Sequence, residues 1–217
     1  MDVIIPLLNS SRDNYLELRY ALRSFQRWLN PDRVIIVGGK PSWFKGVHLQ
    51  HEDYIAVFKE RNIFDKLKLG AQHTTGDFYL CNDDHFLMAP YQGLHHKGYM
   101  YETKATKPLS GSYWQTLNNT QAALVGKSTL DYDTHCPILM NKDVLNSIDV
   151  DWKVQYGYGV KTLYTYHQKE RGEKHPDHKY NHIPSEIHSP YFSTSDICDN
   201  KAVMLPRLFP IKSNFEK

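Results

Sequence analysis

Residues 2–37 read DVIIPLLNSSRDNYLELRYALRSFQRWLNPDRVIIV, two apolar β-branched runs separated by a periodic segment. The runs at 2–8 and 33–37 have the composition of buried strands, and Pro6 is expected at the end of the first. Between them, apolar side chains recur at helical spacing to about Leu29. Strand–helix–strand is the unit of a parallel sheet covered by helices, so this stretch predicts an α/β fold.

The periodic segment carries signals for the start and the exposed face of its helix. Asn14 and Glu17 have the spacing of a capping box, and the Asn-Pro-Asp run at 30–32 ends the helix. Arg19 and Arg23 lie four residues apart and therefore share one face. A solvated surface is the expected setting for these two arginines.

Later segments continue the alternation of strands and helices. The pattern predicts strands at 47–50 and 78–81 and helices at 63–72, 115–124 and 142–147, and regular structure of unspecified type is expected to resume near 137–140. Residues 91–130 are rich in Gly, Lys, Tyr, Asn and Thr with weak periodicity, which predicts an irregular excursion. Residues 169–182 are strongly polar and are expected to form a mobile loop.

Composition excludes several classes of protein. The chain has 217 residues and a net charge of +2, too small by itself to indicate a nucleic-acid binder. Its three cysteines lie far apart without a CxxC pair, so no disulfide framework is expected and a reducing cytoplasm is the expected location. The N-terminus lacks the features of a signal peptide, and no apolar run approaches the roughly 20 residues of a membrane span.

Residues 78–88 read FYLCNDDHFLM, so a predicted strand runs directly into adjacent carboxylates at Asp83 and Asp84. In open α/β sheets, ligands bind outside the carboxyl ends of strands, and we therefore expect these carboxylates at the rim of the sheet. Adjacent carboxylates suit Mg²⁺ or Mn²⁺, which also bind substrate phosphates. The alternative is an ordinary strand-to-loop turn, where Asn and Asp are common.

Several motifs together resemble one known family. The YLCNDD segment at 79–84 is similar to the YxNDD segment of the Stealth-type sugar-phosphate transferases, and ELRYALRS at 17–24 resembles their ELRYSLRS helix. Residues 41–44 and 134–137 resemble the PxWL turn and the HxP element of that family. The resemblance implies a GT-A-like, Rossmann-like sheet, mostly parallel and flanked by helices, with an irregular acceptor-side excursion. In size and layout the chain also resembles small viral glycosyltransferases that modify DNA.

The resemblance implies a set of site residues. Asp84 takes the place of the direct ligand of Mn²⁺ or Mg²⁺, Asp83 lies at the ribose or at a water on the metal, and His135 is the third ligand. For His135, the alternative is a hydrogen-bonded histidine in a turn. The residues expected around the nucleotide, taken to be part of a UDP-sugar, are Pro6, Leu8, Asn9, Arg61, Asn62 and Lys66. Lys66 is alternatively an ordinary exposed helix charge.

Sugar transfer to a hydroxyl also needs a general base. Asp131 and Asp133 flank Tyr132 and would point to the same side of an extended segment. Either carboxylate is a candidate base, as is His85 directly after the acidic pair. The alternatives are a hydrophilic loop for the two aspartates and a histidine that points away from the site.

The chain is therefore interpreted as one GT-A-like catalytic domain, 1–217, with a nucleotide-sugar-binding half at 1–90 and an acceptor-binding half at 91–217. The expected activity is metal-dependent transfer of a sugar from a nucleotide-sugar donor to an acceptor hydroxyl. The alternatives are a sugar-phosphate transferase of Stealth type, a glycan-directed enzyme of polysaccharide synthesis, and a non-catalytic binding module that kept the fold.

Two acceptors remain open. Lysines lie among tyrosines and a tryptophan within 91–130, and residues 169–182 add further basic side chains. Such a surface fits a polyanion, for example hydroxymethylated bases of phage DNA. It fits a carbohydrate equally well, because sugar rings stack on Tyr and Trp. The expected location is the cytoplasm, which is that of the host if the chain is viral.

Overall fold

The structure is a computed structural model that describes residues 1–9, 12–54, 56–91, 93–105, 111–124, 129–168 and 171–217. Its strands are β1 (Asp2–Leu7), β2 (Arg33–Gly38), β3 (Val47–Leu49), β4 (Asp77–Leu80), β5 (His85–Leu87), β6 (His95–His96), β7 (Ile138–Asn141), β8 (Glu173–Lys174), β9 (Lys179–Tyr180) and β10 (Tyr191–Thr194). Its α-helices are α1 (Leu16–Trp28), α2 (Lys59–Ala71), α3 (Met100–Ala105), α4 (Ser112–Ala123), α5 (Lys142–Asn146), α6 (Val160–Gln168) and α7 (Lys201–Leu208). Single 3₁₀ turns precede α1 and α2.

A five-stranded sheet of order β3-β2-β1-β4-β7 forms the centre of the fold. Its first four strands are parallel, and β7 runs antiparallel to β4. The prediction of a mostly parallel α/β sheet flanked by helices is therefore confirmed. The chain adds β2 and β3 on one side of β1 and then β4 on the other, so a crevice is expected outside the carboxyl ends of β1 and β4.

Apolar side chains cover both faces of this sheet. Val3, Ile5 and Leu7 pack in the cluster that contains α1, whereas Ile4 packs in the cluster that contains α2. Burial on both sides explains why the strands read as continuous apolar runs. Gly70 allows α2 to approach the sheet closely, because a Cβ at this position would lie 2.8 Å from Ile4 Cγ2.

Two smaller sheets lie beyond the central one. β5, β10 and β9 form a three-stranded sheet, and β6 pairs with β8. The polar segment 169–182, predicted to be a loop, therefore contributes β8 and β9, while residues 169–170 lie outside the described residues. The excursion at 91–130 contains α3 and α4, and its residues 92, 106–110 and 125–128 also lie outside the described residues.

The start of α1 differs from the prediction. Tyr15, which precedes the helix, has a left-handed backbone conformation (φ 55°), and no side chain caps the helix. Glu17, the predicted capping partner, instead accepts a hydrogen bond from Thr194 and pairs with Lys201 at 3.2 Å. Tertiary contacts from β10 and α7 have thus replaced the local capping pattern.

The arginine face of α1 is covered by the C-terminal segment, which corrects the prediction of a solvated face. Arg23 donates hydrogen bonds of 2.8 and 2.9 Å to the two carboxylate oxygens of Glu216, and its side chain is only 9% exposed. Arg19 lies over the ring of Trp43 at 4.7 Å from the centroid. The last residues of the chain therefore pack on its first helix.

The three cysteines lie in the interior of the fold. Cys81, Cys136 and Cys198 are buried free thiols. Burial raises the pKa of the Cys81 thiol, so this side chain is a packing residue and not a reactive nucleophile. Within the described part of the chain, no helix combines the length and the apolar character needed to cross a bilayer.

Glu216→Gln is expected to lower the free energy of unfolding by about 3 kcal/mol, because it leaves the Arg23 guanidinium buried without its anion. Burial acts to raise the pKa of Glu216, but the hydrogen bonds from Arg23 and Ser213 outweigh it and hold the pKa below its usual value. The stability that the ionised Glu216 contributes is therefore fully present above the ordinary glutamate pKa. It is lost as the pH falls through the folded-state pKa of Glu216.

Urea unfolding at neutral and acidic pH measures this effect. The difference between wild type and Glu216→Gln should shrink on acidification. Glu186→Gln is the matched control, because Glu186 is highly exposed and forms only a 3.8 Å contact with His188. Equal stability of wild type and Glu216→Gln at neutral pH would contradict the assignment.

Candidate functional site

A cleft of about 1020 Å³ opens at the carboxyl edge of the central sheet. Pro6 and Leu8 line it from the end of β1, and Asp83 and Asp84 line it from the end of β4. The acidic pair therefore lies at the rim of the sheet, as predicted. The other lining residues are Glu17, Asp53, Tyr54, Lys59, Glu60, Asn62, Ile63, Lys66, Asn82, Lys97, Tyr113, Asp133, Thr134, His135, Lys161, Asp177, Lys179, Thr194 and Asp196.

Strand pairing explains how distant segments meet in this cleft. β7 is antiparallel to β4, with Leu80 opposite Ile138. Residues just before β7 consequently lie beside residues just after β4. This register brings His135 and Asp84, which are far apart in sequence, into one cleft.

The three-stranded sheet adds a second row of groups next to the acidic pair. Ser193 of β10 is opposite His85 of β5 on one side and opposite Lys179 of β9 on the other. The Ser193 hydroxyl donates a 3.2 Å hydrogen bond to Asp84 Oδ2. Lys179 Nζ lies 3.7 Å from the same carboxylate oxygen.

Asp83 is held in an unfavourable electrostatic setting. Burial, followed by the charges of Asp84 and Glu17, raises the pKa of Asp83 to about 7. Two neighbouring carboxylates that cannot both ionise without cost are stabilised by an added cation. The acidic pair is thus arranged to gain from a positively charged ligand.

His85 lies beneath the acidic pair and does not line the cleft. Its side chain is fully buried, and its Nδ1 accepts a 3.1 Å hydrogen bond from the backbone N–H of Asn82. Burial lowers the pKa of His85 well below its usual value, so the ring is neutral and carries its proton on Nε2, 4.0 Å from Asp84 Oδ1. His85 therefore stabilises the turn that carries the acidic pair.

His135 is oriented by Asp177. The backbone N–H of His135 donates to Asp177 Oδ1 at 2.9 Å, and its ring Nδ1 donates to Oδ2 at 2.8 Å. A carboxylate on one ring nitrogen leaves the other nitrogen available, which is the usual arrangement of a metal-binding histidine. His135 Nε2 lies 3.2 Å from Lys179 Nζ.

The predicted ligands Asp84 and His135 thus meet at a point that holds the ammonium group of Lys179. Among the side chains that the structure describes, no three His, Cys, Asp or Glu groups are spaced to hold a metal ion. Mg²⁺ and Mn²⁺ need few protein ligands when substrate phosphates supply the rest. Asp84 and His135 therefore fit such an ion, provided that Lys179 moves aside.

The charge of the cleft also favours a cation. Among its described lining residues, eight carry carboxyl groups and five carry ammonium groups. A diphosphate would bring further negative charge into this cleft. A divalent cation would offset that charge, which makes ion and diphosphate natural joint ligands.

The β1 side of the cleft contains a buried lysine. Lys66 is 3% exposed, donates a 2.6 Å hydrogen bond to the Leu7 carbonyl and pairs with Asp53. Gly38 (φ +109°) leaves space for it, because a Cβ there would lie 2.7 Å from Lys66 Nζ. The structure therefore rejects the alternative that Lys66 is an exposed helix charge.

Four of the six residues predicted around the nucleotide line the cleft: Pro6, Leu8, Asn62 and Lys66. Asn62 accepts a 2.7 Å hydrogen bond from the Tyr54 N–H and donates one of 3.3 Å to the Tyr54 carbonyl. Asn9 and Arg61 lie outside the lining. Asn9 donates to the His51 carbonyl, and Arg61 lies 4.3 Å from the centroid of the Tyr54 ring.

Asp131 and Asp133 differ in their access to the cleft. Asp133 lines the cleft, whereas Asp131 is fully buried and accepts a 2.9 Å hydrogen bond from the Asp133 N–H. Burial acts to raise the pKa of Asp133, but the charges of Lys97 and Lys161 outweigh it and hold the pKa below its usual value. Burial and the charge of Asp133 raise the pKa of Asp131.

Two lining residues give no distinct signal in the sequence. Burial raises the pKa of Glu60 to about 7, with a further contribution from Asp133. An acidic residue at the start of a helix is common for reasons of the helix dipole, so sequence pattern alone does not single out Glu60. Lys161 donates to the carbonyls of Thr134 and Cys136 at 2.6 and 2.9 Å and so fixes the turn that carries His135.

The sequence matches no protein-family model, and no curated protein shows significant similarity to it. The resemblance to GT-A enzymes of Stealth type rests on the motifs quoted above and stays a prediction.

Asp83→Asn is expected to stabilise the ion-free protein at alkaline pH by about 1 kcal/mol, because it removes a carboxylate that is costly to ionise. The folded-state pKa of about 7 lies above the ordinary aspartate value. Wild-type stability should therefore fall as the pH rises from about 4 through about 7, and Asp83→Asn should lose much of this dependence.

Urea unfolding across this pH range, in a chelating buffer, measures the effect. Asp149→Asn is the control, because Asp149 is exposed and lies outside the cleft. Parallel pH profiles for wild type and Asp83→Asn would refute the electrostatic assignment.

Proposed function

We propose that this chain is a metal-dependent glycosyltransferase that moves a sugar from a nucleotide-sugar donor, expected to be a UDP-sugar, to an acceptor hydroxyl. The observation that carries the proposal is the convergence of Asp84, His135 and Lys179 in a cleft outside the carboxyl ends of a parallel sheet. Crevices at this position of α/β sheets are where nucleotides bind.

The two sides of the cleft suit the two parts of the donor. Pro6 and Leu8 offer an apolar edge for the base, next to the Lys66–Asp53 pair. The acidic pair and His135 lie on the other side and would hold the ion that accompanies the diphosphate. When bound, Mn²⁺ or Mg²⁺ would act as a Lewis acid that offsets the charge developing on the leaving diphosphate.

The acceptor hydroxyl must lose a proton, and two carboxyl groups of the cleft are available. Asp133 stays ionised because Lys97 and Lys161 hold its pKa down. Glu60 has a pKa of about 7. A base whose pKa lies near the working pH transfers protons most efficiently, so we assign the proton transfer to Glu60 and a charge-balancing role to Asp133.

The aromatic and basic side chains of segments 99–105 and 112–123 are compatible with either acceptor. Tyr99 and Tyr101 stack at 5.5 Å between ring centroids, and Tyr101 is 58% exposed. Lys104 lies 5.1 Å from the centroid of the Trp114 ring. The exposed Tyr101 ring and the ammonium group beside Trp114 suit bases of hydroxymethylated DNA, and the same rings suit the sugars of a glycan.

Incubation with a panel of nucleotide sugars and Mn²⁺, together with hydroxymethylated DNA or an oligosaccharide, tests the function. Mass spectrometry of the acceptor should show the gain of one sugar. A gain of a sugar phosphate would instead indicate the Stealth-type reaction. Asp84→Asn is expected to lower turnover by at least ~100-fold while it keeps the fold. No mass gain with any donor, or full activity of Asp84→Asn, would overturn the proposal.

Glu60→Gln separates the two candidate bases. In the wild type at saturating Mn²⁺ and donor, where the bound ion would keep the acidic pair ionised, kcat should rise with pH through about 7, as Glu60 loses its proton. Glu60→Gln should lower kcat by about 10²–10⁴-fold and abolish this rise. Asp133→Asn should keep a rise with pH, because it leaves Glu60 in place. The reverse pattern would assign the base to Asp133.

A further inference from the structure

We propose that Lys179 is a built-in counter-cation: in the ion-free protein its ammonium group holds the place between Asp84 and His135 that a divalent cation takes, and the ion must displace it. This inference rests on the proposed function and adds a control on its metal site. It predicts that the bare ion binds weakly and that donor and ion bind together.

The contacts of Lys179 support this role. Its Nζ lies 3.2 Å from His135 Nε2 and 3.7 Å from Asp84 Oδ2. One ammonium group therefore lies close to Asp84 and His135, two of the three residues predicted at the metal, the third being Asp83. Lys179 thus pairs with the same carboxylate oxygen that accepts the hydrogen bond from Ser193.

The hydrogen bonds of His135 show which ring nitrogen remains available. Asp177 only accepts, so His135 Nδ1 carries the proton that it donates at 2.8 Å. The ammonium group of Lys179 only donates, so Nε2 presents a lone pair to it. A lone pair on Nε2 with a carboxylate behind Nδ1 is the form in which histidine binds a metal. The contact with Lys179 therefore favours the His135 tautomer whose Nε2 can bind an ion.

The position of Lys179 in the fold allows it to leave. β9 has only two residues and lies at the edge of its sheet, paired with β10 alone. The Lys179 side chain is 38% exposed. A flexible four-carbon side chain at such an edge can swing into the open cleft without breaking the core.

The consequence is a coupling between ion and donor. Displacement of Lys179 by a free ion removes an existing attraction and leaves its ammonium group without a partner. The diphosphate of a donor would offer that group a new anion. Ion and donor should therefore each raise the affinity for the other, and the coupling should be equal in both directions.

Binding of Mn²⁺ alone tests the inference. Free Mn²⁺ is counted by electron paramagnetic resonance, without any nucleotide or turnover. Lys179→Met should bind Mn²⁺ about tenfold more tightly than wild type, a typical size for such a coupling. Lys179→Arg keeps the charge and should bind as wild type does. Lys174→Met is the matched control, because Lys174 is exposed and pairs with Glu102 instead.

The outcomes separate this inference from the function. Equal or weaker Mn²⁺ binding by Lys179→Met overturns the role of Lys179 and leaves the metal site intact. No Mn²⁺ binding by any variant, with or without UDP, overturns both. If Lys179→Met fails to fold, Lys179→Gln undergoes the same measurement with the same expectation.

Discussion

The position of β4 between β1 and β7 determines where the acidic pair and His135 lie in the cleft. β4 pairs parallel with β1 and antiparallel with β7. The first pairing puts the acidic pair beside the end of β1, and the second puts His135 beside the acidic pair. Because both faces of the sheet are buried, the charged side chains of the cleft collect at its carboxyl edge, where they avoid the full desolvation cost of the core.

Charged side chains that would carry a large desolvation cost inside the core lie together at this edge. Lys66 and Lys161 are almost fully buried, and each is stabilised by backbone carbonyls. Asp177 receives both hydrogen bonds of His135 and the ammonium group of Lys97 at 3.2 Å. Each buried charge has a partner from a different segment, so the segments around the cleft are held in register by electrostatics as well as by packing.

Those parts of the structure that depend on local pattern could be predicted from the sequence. The apolar runs of β1 and β2 predict the parallel sheet, and the polar residues that follow β4 predict the acidic rim. The remaining parts depend on contacts that no local pattern encodes. The hydrogen bond from His135 to Asp177 spans 42 residues. Residues 169–182 were predicted as a loop because β8 and β9 have only two residues each, too few to give an apolar pattern. The local spacing of Asn14 and Glu17 predicts a cap, whereas the contacts of Glu17 with β10 and α7 come from distant segments that no local pattern reveals.

The contacts of residues 209–217 with α1 and with the turn at 43–45 have a consequence for the order of folding. The backbone of Phe215 accepts a hydrogen bond from Lys45, and Lys217 donates one to Trp43. The arginine side of α1 can therefore be covered only after residues 209–216 have been synthesised, and the Arg23–Glu216 pair spans 193 residues of sequence. Closing so long a loop costs conformational entropy, so this contact is expected to form late in folding.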